Sequence, residues 1–236
     1  PASMVKEVET KPMGDDEIIR LVQLANVNYF VENFDINSGM YMPFRSKNKV
    51  IVSTKETAGA ILSLIVGVKN EFVKRQTALN RISKVAFFLL KSQTKNGFFA
   101  SYYDARKGIP EYRNDKAIYD VEATGSIIEA LLIAREYFNE NNEAESDLRK
   151  RITQLYQQVN WTAIKHDEVF LKSKLSLVDE KNDKDKPLSG IENAINTYLL
   201  AIGHSKYAIP SSSYFDAVYN RFEKIKQDTT QSINPY

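Results

Sequence analysis

The chain has 236 residues, enough for one substantial core, and its 43% hydrophobic and 26% charged content is that of an ordinary globular protein. Its 32 basic and 30 acidic side chains nearly cancel, which leaves no electrostatic footprint for nucleic acid. Zero cysteines exclude disulfides, thiol catalysis and cysteine–zinc sites. The two histidines have no metal-ligand spacing, no cofactor is expected, and no apolar run approaches the ~20 residues of a membrane span.

The periodicity predicts about seven helices. The first, near Asp15 to Asn33, has an apolar face of Ile18, Val22, Ala25 and Tyr29. The second, near Thr54 to Val68, carries no charge from Gly59 onward. The third, near Arg75 to Gln93, has Leu79, Ile82, Ala86 and Leu89 on one stripe. The segment from Asn96 to Glu111, with Phe98-Phe-Ala-Ser-Tyr-Tyr103 before Lys107-Gly-Ile-Pro110, reads as a short β-hairpin. The fourth helix, near Val121 to Phe138, is apolar all round in its first half. The fifth, about Ala144 to Val159, is striped through Leu148, Ile152 and Leu155. Alternation of Val169, Leu171, Leu175 and Leu177 suggests a second hairpin, followed by a charged loop from Asp179 to Lys186. The sixth helix, about Ile191 to Ile202, is nearly uncharged. The seventh, about Ser212 to Lys226, is amphipathic.

Helices apolar all round are buried, whereas striped ones are half exposed. The two types alternate here, as an inner ring wrapped by an outer ring requires. The inner helices recur at similar spacing: sixty-six residues separate Thr57 from Ala123 and sixty-eight separate Ala123 from Ile191. Two start alike, Glu56-Thr-Ala-Gly-Ala-Ile-Leu and Glu122-Ala-Thr-Gly-Ser-Ile-Ile, a weak internal repeat of helical hairpins. Small residues at these starts (Gly59, Ala60, Gly125, Ser126) would let inner helices approach closely. The expected fold is therefore all-α, an incomplete two-layered toroid of helical hairpins with short β-hairpins in the connections. Residues 14–228 form one domain and residues 1–13 and 229–236 are tails. Gly59–Val68, Ala123–Ala134 and Ile191–Ile202 should be the most buried segments, with Leu62 in the core.

Glu56, Glu122 and Glu192 stand at inner-helix starts, where parallel helices bring them to one mouth. Carboxylates there can act as general acid and base or accept sugar hydroxyl protons. They can equally be caps: Ser53 with Glu56, and Ser189 with Glu192, both fit the capping box. Glu122 has Tyr119 at the matching position, so Asp120 can cap alone and leave Glu122 free. Thirteen Tyr and 12 Phe against one Trp make a sugar site plausible, because a ring packs on a pyranose face while its hydroxyl bonds to the sugar. Most such rings nevertheless belong to a core. Tyr102, Tyr103 and Trp161 are the candidate stacking surfaces. Arg45 and Arg113 are candidate hydrogen-bond donors, with plain surface charge as their alternative.

Several segments occur together in order: Val27-Asn-Tyr-Phe-Val-Glu, Gly39-Met-Tyr-Met-Pro-Phe-Arg45, Asn96-Gly-Phe-Phe, Ala134-Arg-Glu-Tyr-Phe138, Gln158-Val-Asn-Trp161 and Asn196-Thr-Tyr-Leu-Leu-Ala-Ile-Gly203. The set, from about Leu21 to Val218, resembles the glucoamylase-like family of bacterial (α/α)6 toroids, which includes β-1,2-glucan-degrading glycosidases. The resemblance implies a twelve-helix toroid, a periplasmic or secreted address, a glycan substrate and hydrolysis by paired acids in the mouth. On it Glu122 and Glu192 are the acid pair, Asp120 a supporting acid, and Asn193 and Glu56 substrate-binding groups. An ungapped match, however, places Ile118 and Ala123 where acids are expected, with Asp120 and Glu122 beside them, and Asn193 where another carboxylate is expected. Asn can neither give nor take the proton. About five helices of the full toroid have no counterpart here. Two further readings follow: glycan binding without catalysis, and an interaction scaffold whose open edge meets a protein partner or a second copy that completes the toroid.

Overall fold

A computed structural model describes residues 12–47, 49–111, 118–167, 170–176, 187–188 and 191–219, the side chains of residues 118 and 191–193 excepted. Seven helices appear where periodicity places them: α1 (Asp15–Glu32), α2 (Thr54–Lys69), α3 (Arg75–Lys91), α4 (Val121–Tyr137), α5 (Glu143–Gln158), α6 (Ile191–Ile202) and α7 (Ser212–Tyr214). The seventh is shorter than its pattern suggests: α7 runs directly into a π-helical turn at Phe215–Tyr219, and residues 220–226 lie outside the described residues. Several starts have a local cause. Asp15, Asp16 and Glu17 favour the positive end of α1. Ser53 Oγ accepts the Glu56 N–H at the start of α2, and Asn142 accepts the Glu145 N–H at 2.9 Å at the start of α5.

Packing follows the two-layer expectation. Helices α2, α4 and α6 lie side by side as an inner row, α3 and α5 pack on each other outside it, α1 covers α2, and α7 rests on α6. Among the described residues α2 and α6 make no extended contact with each other, so the inner row is an arc. Gly125 is what lets α4 and α6 close up: a Cβ there would stand 2.2 Å from Thr197 Oγ1. One hydrophobic core joins all these elements, with Ile61, Ile82, Phe98, Ile127, Leu131, Phe138, Ile152 and Tyr198 fully buried.

The burial expectations need three corrections. Leu62 is 39% exposed and lies outside the core, beside Val66 at 47%. The outer helix α3 buries Ala78, Leu79, Arg81, Ile82, Val85, Ala86 and Leu89, as much of its length as α2 does. Helix α1 buries only Val27, while Ile18, Val22 and Tyr29 are exposed. The physical reason is the same in each case. Lack of charge marks a face meant to be covered, but an arc covers its inner helices only where α1, α3, α5 and the neighbouring inner helices reach.

The connections form two small sheets. Strands β1 (Phe44–Arg45), β2 (Val50–Ser53), β3 (Tyr102–Asp104) and β4 (Ile109–Pro110) pair antiparallel in that order. The hairpin expected between Asn96 and Glu111 is β3–β4, with Tyr103 opposite Pro110. Of the second expected hairpin, Val169 and Leu177 lie outside the described residues, as does the charged loop expected from Asp179 to Lys186. Strand β6 (Lys174–Ser176) pairs with β5 (Ile118–Asp120), fifty-odd residues upstream, with Tyr119 opposite Leu175. Alternation reports a half-buried strand and says nothing of its partner.

Candidate functional site

Strand β2 runs straight into α2, and β5 runs straight into α4; the two strands belong to different sheets, and an Ala100–Tyr119 bridge ties β5 to the segment that leads into β3. The segment from Phe99 to Tyr102 is laced between the two starts. Asp120 N donates to Phe99 O (2.8 Å) and Thr54 N to Ser101 O (3.0 Å). Thr54 Oγ1 donates to Ala100 O (2.6 Å), Phe99 N donates to Thr124 Oγ1 (2.9 Å), and Tyr102 sits opposite Ser53 in the β-ladder. These bonds hold the mouth-side ends of α2 and α4 in one place.

Of the residues expected there, Glu56, Asp120, Glu122 and Tyr102 do converge. Asp120 is the cap it was expected to be: its Oδ1 accepts the Ala123 N–H at 2.9 Å, and its Oδ2 accepts from Ser101 Oγ at 3.0 Å. Glu122 is not left free by this arrangement. Lys55, from the first turn of α2, forms an ion pair with it. That hydrogen bond raises the Lys55 pKa against the opposing effect of burial, with the Glu122, Asp120 and Glu56 charges adding to the rise. The serine half of the Ser53–Glu56 box is present, and Glu56 itself is exposed. The result is a strip of three carboxylates around one ammonium, Glu56, Lys55, Glu122 and Asp120, lying across two helix N-termini.

Other candidates stand elsewhere. Tyr103 is fully buried, and its hydroxyl donates to Gln93 O at 2.9 Å, so it is core and offers no face to a ligand. Burial pushes its pKa well up. Trp161 is likewise 0% exposed, packed edge-on to Phe98 in the core with centroids 5.2 Å apart. Both aromatic residues follow the ordinary fate of large rings, burial. Arg45 is exposed on β1 opposite Val50, at the far end of β2 from Ser53. Arg113 and Ser189 lie outside the described residues. For Glu192 and Asn193 only their place in the first turn of α6 is described. The missed residues are Lys55, Ser101, Tyr29 and Tyr41.

Cavities of about 210 and 270 Å³ lie on the flanks of α3 and do not include these mouth residues. Among the described residues no His/Cys/Asp/Glu cluster could hold a metal ion, and no helix is long and apolar enough to cross a membrane.

An arc of inner and outer helices, with acidic groups at the starts of α2 and α4, is the architecture of part of an α/α toroid. The comparisons agree. The chain is 28% identical over 217 residues to an exo β-1,2-glucooligosaccharide sophorohydrolase (non-reducing end) from Parabacteroides distasonis, covering 90% of the chain and 30% of that protein. Its structure is similar to a β-1,2-glucanase from Parabacteroides distasonis, with a TM-score of 0.78, 25% identity, and coverage of 94% of this chain and 33% of the other. It also shares the fold of an endo-β-1,2-glucanase from Chitinophaga pinensis in complex with sophorotriose and glucose, with a TM-score of 0.77, 23% identity, and coverage of 89% and 52%. No family model matches the chain. The chain is a partial relative of glucan-degrading toroid glycosidases and spans about a third of the length of the curated relative it matches.

Proposed function

We propose that the chain binds a β-1,2-linked glucan oligosaccharide at the mouth formed by the starts of α2 and α4, and does not hydrolyse it unaided. The observation that carries this reading is the strip of Glu56, Lys55, Glu122 and Asp120 beside Tyr102, on the fold of β-1,2-glucanases. Charged groups and half-exposed aromatic rings suit sugar hydroxyls and ring faces. Proton transfer is disfavoured because Asp120 has both oxygens engaged and Glu122 is tied to Lys55. Loss of a working acid or base removes about 10²–10⁴ in rate. A periplasmic or secreted address, and a single domain over residues 14–228, belong to the same proposal. The test is incubation of the purified chain with β-1,2-, β-1,3- and α-1,4-glucans, with chromatography of released sugars and calorimetry of binding. Binding of the β-1,2-glucan without turnover is expected. Turnover abolished by Glu122→Gln would overturn the non-catalytic part, and absence of binding would overturn the whole reading.

A second reading draws on the exposed apolar residues of the inner row, Leu62, Val66, Ile133 and Leu199. A protein partner or a second copy would cover them. Light scattering on the purified chain should then give a mass above the 27.0 kDa of one copy.

A further inference from the structure

The two strongest aromatic candidates from the sequence are buried, yet a different ring is presented at the mouth. Tyr29, near the end of α1, is 54% exposed. Its ring is held in place from two sides. Phe30 meets it edge-on with centroids 5.2 Å apart, and Tyr41 packs at 5.8 Å and 37°. Tyr41 is itself anchored to the first turn of α2, where its N–H donates to Thr57 Oγ1 at 2.9 Å. The α1–α2 contact is close, with Phe30 Cζ 3.4 Å from where a Cβ on Gly59 would be.

The hydroxyl chemistry is specific too. Tyr41 OH donates to Tyr29 OH at 2.6 Å. This bond, then burial, pushes the Tyr41 pKa up to about 12. The Tyr29 oxygen accepts this bond, which leaves its own O–H to donate elsewhere. Glu56 is the residue before Thr57 in the first turn of α2, on which Tyr41 is anchored. Helix α1 thus contributes the Tyr29 ring and hydroxyl, α2 the Glu56 carboxylate and the Lys55 ammonium, and α4 the Glu122 carboxylate that pairs with Lys55.

We propose that Tyr29 is a pyranose platform: a β-linked glucosyl ring lies on its exposed face, with the Tyr29 hydroxyl donating to a sugar oxygen and Glu56 accepting from sugar hydroxyls. The proposal rests on the glycan-binding reading and extends it to a subsite on the α1 side of the mouth. A ring fixed by Phe30 and Tyr41 loses little freedom on binding, which is the property of an efficient aromatic contact. A loose surface tyrosine would lack it.

Calorimetry with sophorotriose on wild type, Tyr29→Ala and Tyr29→Phe tests this. Tyr29→Ala should weaken binding about five- to tenfold, and Tyr29→Phe about twofold, because the face is kept and only the hydroxyl lost. Intermolecular nuclear Overhauser effects between Tyr29 ring protons and sugar C–H protons should appear in the wild-type complex, whatever the folding of the variants. Wild-type binding that Tyr29→Ala leaves unchanged, or the absence of those ring contacts, overturns the platform while the wider reading stands. Failure of the wild type to bind sophorotriose overturns both.

Discussion

Gly125→Ala sets two known effects against each other at one atom. Replacing a helix-interior glycine by alanine normally stabilises by about 0.5–1 kcal/mol through backbone entropy. At this position the added Cβ would stand 2.2 Å from Thr197 Oγ1, 3.1 Å from its Cβ and 3.3 Å from its Cγ2. Carbon contacts are favourable only from about 3.5 Å outward. Thr197 is 2% exposed, so turning its hydroxyl away relieves one contact and leaves the other two. Overpacking of this kind costs about 1–3 kcal/mol. The expected sum is a loss of about 1–2 kcal/mol, or a Tm lower by about 2–8 °C for a chain of this size. Urea melts followed by far-UV circular dichroism measure it. In a Thr197→Ala background the same change should cost at least about 1 kcal/mol less, since the two residues are in contact. A Gly125→Ala variant more stable than wild type would refute the close α4–α6 approach and the reasoning built on it.

Two further outcomes are expected. Ile61→Ala, at 1% exposure, should cost about 2–5 kcal/mol in denaturant melts, whereas Leu62→Ala, at 39%, should cost under about 1 kcal/mol; equal losses would show that a covering surface reaches Leu62. Glu145 is 1% exposed; burial alone would push its pKa up, but hydrogen bonds from Arg75 and the Glu140 N–H hold it below 4.5. A depressed carboxylate pKa gives stability that is present above the unfolded value and lost as pH falls through the folded one. The Tm gap between wild type and Glu145→Gln should therefore be constant from pH 7 to about pH 5 and shrink below about pH 4; a gap unchanged at pH 3 would show that the ion pair does not titrate.

The sequence made the helices legible because their cues are local. Charge-free stretches, the serine, aspartate and asparagine caps, and 3.6-residue stripes all act within a few residues of the element they define. Gly125 was legible as a close-approach residue for the same reason. What escaped depends on distant chain. The partner of β6 is β5, and no alternation of Leu171 and Leu175 can reveal that. Trp161 and Tyr103 stay open as sugar surfaces, although core is the commoner fate of such rings, until Phe98 and Gln93 are placed against them. Leu62 looked buried because its helix is uncharged, but exposure is set by which neighbours are in place. Lys55 could not be read as a site residue, since its partner Glu122 lies sixty-seven residues away.

Asp120 shows how a toroid mouth constrains its own history. One oxygen closes the first turn of α4, and the other fastens the Phe99–Tyr102 segment through Ser101. Redirecting that carboxylate toward a substrate proton would release both, at roughly 0.5–2 kcal/mol for the cap alone. Any lineage that moved this group from holding structure to moving protons would first need spare stability, or a replacement cap at the preceding position. The order of substitutions is then set by folding: support comes first, chemistry second. The reverse path is easier, because a carboxylate withdrawn from proton transfer can settle into the cap that the helix start already offers.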